Sequence, residues 1–409
     1  MATTAPPQSR IASLDIIRGI AVMGIFSVNI VGMAMIESAY FDPPRFGFEG
    51  FGDKLMWALN FIFVDGRFRS LFSILFGASM VLVIERAVAA GKAGWRVHYP
   101  RMVVLLLFGL AHFYFLWWGD ILANYAMVGM IAYVFWKMRA RTQLIIACCL
   151  LALMYVPMTA FLVAYEFDVL PAEMTPDVPE RGSEEQIESI ERDVAMEGAA
   201  TADLAAHFYY TITETPWRPF MSVVAFGAET LGLMLLGMAA YRSGFLTGAW
   251  ERETYRKIAF RVLMPMLAYY SVAAIIVLRS DFAFDTMMPL VQLLPNWFHP
   301  IGALGYAALA ILIIKPGALA DRLAAVGRAA FTNYLGCTVI GVFLFYDFAF
   351  GLWGEVSRGE AWLFVPPVWA FMLVWSKWWL DRFRYGPLEW AWRSMSRASL
   401  QPMRKPVAA

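Results

Sequence analysis

The residues in this chain that could do chemistry stand out against an apolar background. His112 lies in the run Leu110-Ala111-His112-Phe113-Tyr114, and eight residues on, past Trp117-Trp118-Gly119, comes Asp120, followed by Asn124 and Tyr125. An imidazole with a carboxylate to orient it is the equipment of a general base. The same pair has a plainer use, a satisfied core histidine beside an N-capping carboxylate. The two uses are compatible, since a capping carboxylate can also hold a ring. Asp15 and Arg18, three residues apart, share a helix face and form a structural ion pair. Asn29 lies eleven residues beyond Arg18 on nearly the same face, roughly 16 Å further along.

Other polar residues are scattered further down the chain. Arg67 and Arg69 follow Asp65-Gly66, where an anion-binding mouth and interfacial snorkelling are both open. Glu229 falls inside an apolar run and needs a partner or a proton. His299 opens a later run in Asn296-Trp297-Phe298-His299-Pro300, and Asn333 and Tyr334 interrupt the next. A charge at the centre of a membrane span costs about 2.5–3.5 kcal/mol, so such groups pair, face the bundle interior or line a wet cavity.

The elements that must position them are membrane helices. The 409 residues are 60% hydrophobic and 16% charged, where a soluble domain has roughly 45–50% and about 25%. Mean hydropathy is +0.58. An ordinary soluble enzyme and a disordered chain are excluded, and a net charge of +1 excludes a nucleic-acid binder. Cys148, Cys149 and Cys337 sit in apolar runs without CxxC spacing and read as small buried side chains, not a disulfide, zinc or redox set. No metal site is expected. Met1 to Arg10 is polar, and the long segment after it carries Asp15 and Arg18, so a retained helix is expected rather than a cleaved leader.

Runs long enough to cross about 30 Å of hydrocarbon number about ten. They cover 14–35, 66–85, 101–118, 120–138, 142–165, 217–241, 256–278, 297–315, 325–350 and 360–381. The fold class is therefore an all-α polytopic membrane bundle. Asp53 to Val64 has helical period and reads as a short interfacial helix. Lys and Arg concentrate after every second span, for example Arg86 to Arg101, Lys137 to Arg141 and Lys315 to Arg328, and again in the C-terminal tail. Cytoplasmic loops carry that excess, which puts both termini in the cytoplasm. Asn29, Arg67, His112, Asp120 and His299 then lie nearer the outer leaflet, and Arg18, Arg101 and Arg328 at the inner end. The division is 1–165 and 216–384 as two membrane parts, 166–215 as an acidic extracytoplasmic insert, and 385–409 as a basic cytoplasmic tail. The insert begins with Pro171, Pro176 and Pro179, runs into an amphipathic helix from Ser183, and reads as a solvated cap.

A family resemblance rests on several strings in order. Ile11-Ala12-Ser13-Leu14-Asp15-Ile16-Ile17-Arg18-Gly19 resembles the opening of membrane acyltransferases. Phe68-Arg69-Ser70-Leu71-Phe72-Ser73-Ile74-Leu75-Phe76-Gly77, His112 with Gly119-Asp120-Ile121-Leu122, Val326-Gly327-Arg328-Ala329-Ala330-Phe331-Thr332-Asn333-Tyr334, and Tyr385-Gly386-Pro387-Leu388-Glu389-Trp390 are similar to the YeiB family, also called domain of unknown function 418. The family is described mostly as membrane proteins of unknown function. More distantly, the first-helix pattern resembles bacterial polysaccharide O-acyltransferases and heparan-alpha-glucosaminide N-acetyltransferase. That resemblance implies a bundle in the bacterial inner membrane and an acyl group taken from cytoplasmic acyl-CoA. The polysaccharide enzymes have a catalytic His at the position of Asn29. The heparan enzyme has Asn there and its His in the following loop. Here Met33 to Asp53 contains no His, only Glu37, Tyr40, Asp42 and Glu49.

The expected mechanism uses His112 as base, Asp120 to orient it and Asn29 as an oxyanion donor. Arg18, Arg101, Arg328 and Asn333 would bind the acyl donor, acetyl-CoA or another acyl-CoA as co-substrate, and Arg67, Arg69, Asn124 and His299 would face the acceptor. The acceptor is a small molecule, lipid or saccharide; the bilayer is the surrounding partner, and a homodimer stays open. The alternatives are a transporter of an anionic or amphiphilic small molecule using the same polar groups, or a scaffold without substrate. The transporter reading looks for an inverted repeat, and only Leu75-Phe76-Gly77-Ala78 and Ala225-Phe226-Gly227-Ala228 echo one another.

Overall fold

In the computed structural model the described residues are 12–167, 169 and 179–405. Met1 to Ile11, Pro171 and Pro176 lie outside them. The first half runs through α1 (Ala12–Ala34), α2 (Glu37–Phe41), α3 (Phe51–Phe63), α4 (Arg67–Ala89), α5 (Gly94–Phe115), α6 (Leu122–Ala132) and α7 (Ala140–Glu166). The insert holds α8 (Glu184–Ala200) and α9 (Leu204–Thr213). The second half comprises α10 (Arg218–Arg242), α11 (Arg252–Arg279), α12 (Phe284–Met287), α13 (Pro295–Ile313), α14 (Ala318–Arg328), α15 (Ala330–Phe345), α16 (Arg358–Trp362), α17 (Val365–Arg382) and α18 (Pro387–Ser396). The protein is an all-α polytopic membrane protein.

Among the described residues eight helices are long and apolar enough to cross a membrane, or nine if the bent pair α14 and α15 is one span. The differences from the ten expected runs have local causes. The run 120–138 forms α6 and a 3-10 turn ending at Phe135, shorter than the roughly 20 residues a crossing needs. The run 325–350 breaks at Ala329, where α14 and α15 meet at 80°. The break is held from outside: the Glu389 carboxylate accepts the Phe331 and Thr332 N–H groups at 2.7 and 3.1 Å, capping the first turn of α15. The helix read at Asp53 to Val64 is α3, and past a turn it is followed directly by α4, the two together making the stretch Phe51–Ala89. The join is a turn at Gly66, whose φ of +67° suits a residue without Cβ.

The two membrane parts interleave. α4 packs on α10 and α13, while α1 packs on α14 and α15. Close crossings rely on glycine: a Cβ on Gly237 would stand 1.9 Å from the Ile74 carbonyl oxygen, and one on Gly327 would stand 1.8 Å from that of Asp15. Small residues of this kind let helices approach where lipid supplies no hydrophobic drive. α7 lies at the periphery and turns Leu144, Ile145, Leu153 and Val156 outward. Cys148 and Cys149 are accordingly exposed on it, against the buried role expected, while Cys337 is buried.

The insert is docked rather than freely solvated. The Glu37 N–H donates to Glu197 at 2.8 Å, Ser38 donates to Asp193 at 2.9 Å, and Arg218 pairs with Glu37. On α9, His207 Nε2 meets the Phe113 carbonyl at 3.2 Å, and its Nδ1 meets the Tyr346 hydroxyl at 3.0 Å. Burial pulls the His207 imidazole down to about 4 and pushes the Glu197 carboxyl up to about 7, with Glu37 and Asp193 adding to the second shift.

Candidate functional site

A cavity of about 360 Å³ opens at the end of the bundle that carries the first turns of α1 and α5, here the basic end. Its walls are α1, α4, α5, the α14–α15 break and α18. Six arginines line it: Arg18, Arg86, Arg101, Arg328, Arg384 and Arg393. Only two carboxylates join them, and both are engaged. Asp15 pairs with Arg18 at 3.2 Å, and Glu389 takes the Thr332 hydroxyl at 2.6 Å besides the two N–H groups above. Burial pushes the Glu389 carboxyl up. Arg18 also donates to Ser79 Oγ at 2.6 Å. Arg101 lies 4.2 Å from the Trp392 ring, and the Trp392 indole donates to the Arg101 carbonyl at 2.7 Å. The sequence-read tail 385–409 is thus partly a wall of the cavity. With the two lining carboxylates occupied, the charges of Arg86, Arg101, Arg384 and Arg393, which form no ion pair among the described residues, are left to neutralise an incoming anion. Deeper in, the lining turns apolar through Phe72, Phe76, Leu105 and Leu122, and ends at Tyr125 and Tyr334.

Beyond Tyr334 is the imidazole the sequence singled out. His112 Nδ1 lies 2.9 Å from Asp120 Oδ1, and Nε2 lies 2.9 Å from Thr338 Oγ1 on α15. A carboxylate only accepts, so Nδ1 carries the proton and Nε2 accepts from the Thr338 hydroxyl. Asp120 also caps α6, accepting the Ala123 N–H at 2.7 Å; both uses read from the sequence coexist. His112, Asp120 and Thr338 side chains are all sealed. The Tyr334 ring, 5.5 Å from that of His112, is shared between this cluster and the cavity wall. Tyr334 donates to the Gly119 carbonyl at 3.2 Å, which ties the α5–α6 turn to α15.

The other expected site residues divide. Arg18, Arg101 and Arg328 do line one cavity. Asn333 does not: its carboxamide bonds the Val326 carbonyl at 3.0 Å, Ser376 at 3.1 Å and the Trp375 indole at 2.9 Å, pinning the α14–α15 break to α17. Asn29 is half-buried, lines no part of the cavity, and has no side-chain hydrogen bond with a described residue. Arg69 clasps Glu229 through two bonds of 3.0 and 3.2 Å, with the Tyr155 hydroxyl on the same carboxylate at 2.9 Å. That is the partner Glu229 requires. The Arg69 side chain is still 39% exposed, so it borders open space. Asn124 donates to the Ser222 carbonyl at 3.0 Å. Arg67 is fully buried and His299 is 9% exposed; neither stands at a mouth. Among the described residues no three His, Cys, Asp or Glu side chains converge as metal ligands do.

Sequence reasoning missed Thr338, Arg86, Arg384, Arg393 and the capping role of Glu389. Glu389 had a signal, since it belongs to one of the family-like strings. Thr338 had none, being a single hydroxyl in an apolar helix whose meaning depends on a ring 226 positions away.

Comparison with known proteins supplies relatives but no activity. Residues 240–399 match the family described as "Protein of unknown function (DUF418)". The chain is 29% identical over 404 residues to "Uncharacterized protein YeiB" of Escherichia coli (strain K12), covering 97% of this chain and 98% of that one. It is 28% identical over 407 residues to "Uncharacterized protein YxaH" of Bacillus subtilis (strain 168), covering 97% of each. No solved structure matches.

Proposed function

We propose that this DUF418-bearing homologue of YeiB and YxaH is a membrane-embedded acyltransferase. In this reading it draws an acyl-CoA into the basic-end cavity, from the cytoplasm, and passes the acyl group toward an acceptor at the opposite face. The observation that carries it is the cavity's polarity: arginines at the mouth, apolar walls in depth, and at the far wall a tyrosine against the His112 ring. Guanidinium groups suit the phosphates of a CoA. The apolar depth suits its pantetheine and acyl chain.

The chemical step uses groups already in place. His112 Nε2, freed from Thr338, takes the proton of an acceptor hydroxyl or amine as that atom attacks the thioester carbonyl. The C–S bond breaks, the new C–O or C–N bond remains, and the imidazolium returns the proton to the CoA thiolate. Asp120 holds the tautomer and steadies the imidazolium. Access requires the Tyr334 ring to swing from the wall. Arg69, at its open space on the far side, is the acceptor-facing group, and a bacterial inner membrane is the setting.

The test is release of free CoA from acetyl-CoA by protein in nanodiscs, with a panel of hydroxyl and amine acceptors. Acceptor-stimulated release that disappears in His112→Ala, with CoA still bound, supports the reading. Release unchanged in that variant refutes it. Counterflow of an intact anion in proteoliposomes, without release, would favour transport.

A further inference from the structure

A second site is written in hydrogen bonds that are not made. Around the start of α4, four buried polar atoms have no partner: Arg67 Nε, Arg67 Nη1, Ser70 Oγ and His299 Nδ1. The first three sit within one turn of α4, and His299 packs directly against its entry, since a Cβ on Gly66 would stand 2.0 Å from the His299 ring. Tyr270 joins the two, with the Arg67 guanidinium 3.9 Å over its ring and His299 roughly parallel to it at 6.4 Å. Arg67 and Ser70 are fully buried.

Two comparisons within the helix sharpen the anomaly. Ser73 and Ser79 turn their hydroxyls back to carbonyls one turn earlier, those of Arg69 and Leu75, at 3.1 and 2.6 Å. Ser70 does not. Arg69, two residues from Arg67, has a carboxylate of its own in Glu229. Among the described residues Arg67 has no ion pair; its Nη2 donates to the Phe61 carbonyl. Asp65 contributes its backbone oxygen to the Arg67 N–H at 2.7 Å, and its carboxylate forms no ion pair with Arg67. A sealed, unpaired guanidinium is expensive, and water would satisfy its donors without neutralising its charge.

We propose that Arg67, Ser70 and His299 enclose a resident chloride-sized monoanion between α4 and α13. The donors fit: guanidinium N–H groups, a hydroxyl and an imidazole N–H, none of them in an ion pair with a carboxylate among the described residues. The space sets the size. Gly66 and Gly302 are needed for closure, since a Cβ on Gly302 would meet Arg67 Cδ at 3.1 Å. Packing this close favours a single-atom ion over a phosphate. The anion is structural, neutralising the charge that lets the α3–α4 turn lie against α13. This inference is independent of what the basic-end cavity binds.

The test compares full-length protein in nanodiscs in sodium chloride, sodium bromide and sodium gluconate at equal ionic strength. Chloride and bromide raise Tm by several degrees, saturably, as expected of a ligand that binds only the folded state. Ser70→Ala weakens the response and Arg67→Gln abolishes it, whereas Arg252→Gln, on the exposed start of α11, keeps it. Equal Tm in chloride and gluconate overturns the proposal, as does a halide response that survives in Arg67→Gln. Should Arg67→Gln not fold, bromide-soaked crystals of the unmodified protein decide. An anomalous peak within hydrogen-bond distance of Arg67 and Ser70 supports the site; its absence there overturns it.

Discussion

Arginine is put to opposite uses in the two halves of this bundle. At the basic end six guanidinium groups of the described residues surround open space, while the two described carboxylates there, Asp15 and Glu389, are already engaged. In the opposite half Arg69 is matched to Glu229, and Arg67 is shut away with Nε and Nη1 unpartnered. The residue type is the same. What differs is whether space is left beside the charge. Open space beside an excess of arginine over carboxylate suits something that arrives, whereas sealed space beside one arginine suits something that stays. Between the halves lies the His112 cluster, sealed like the second region but separated from the first by a single tyrosine.

The comparison breaks most visibly at His112. Asp120→Asn keeps an α6 cap, because Asn caps as well as Asp, yet loses the carboxylate that fixes the tautomer. Acyl transfer in that variant falls by about 100-fold or more, the scale of general-base catalysis, with Tm nearly unchanged. Loss of Tm without selective loss of transfer would make Asp120 a cap alone. Next comes the donor mouth. Arg101→Gln and Arg393→Gln each weaken CoA binding roughly tenfold, and the remaining affinity depends less steeply on salt. Calorimetry across 50–500 mM salt reads both effects, and Arg69→Gln leaves CoA affinity unaltered.

The wall is a smaller matter. Glu389→Ala strips the acceptor from two N–H groups and a hydroxyl at the α14–α15 break, costing about 1–3 kcal/mol of stability. Denaturant unfolding measures it, and Glu389→Gln recovers part of the loss. The smallest effect is at the insert. Burial raises the Glu197 pKa from 4.5 to about 7 in the docked insert, so the docked state binds the proton more tightly. The stability this adds is complete below about 4.5 and is lost as pH rises through 7. Glu197→Gln therefore slows proteolysis of the insert at pH 8 and leaves it unchanged at pH 4.5. The gain stays below ~1 kcal/mol because the residue is partly solvated.

The long crossings were legible because hydropathy over 20 residues reflects the solvent each helix must meet. Interior placement of His112 and Glu229 followed from the cost of charge in lipid. The 80° break at Ala329 was not legible, because the group that caps α15 is Glu389, some sixty positions later. α6 was overread, since its apolar composition comes from burial between neighbours rather than from spanning. The Asp15–Arg18 pair and the Asp120–His112 pair were found because both partners are near in sequence. Thr338, Arg384 and Arg393 were invisible as site residues, because only folding brings them to α5 and α1. Asn333 misled for a related reason: a polar residue within a span reads alike whether it faces a ligand or holds a kink.

The most direct trial of the central claim is a structure of the protein in nanodiscs at saturating acetyl-CoA. Acyl-CoA binding as proposed places phosphate density against Arg101 and Arg393, runs a thioester down past Phe76, and displaces the Tyr334 ring to expose His112. A cavity that stays empty, or a nucleotide bound elsewhere with Tyr334 still on its wall, would contradict it.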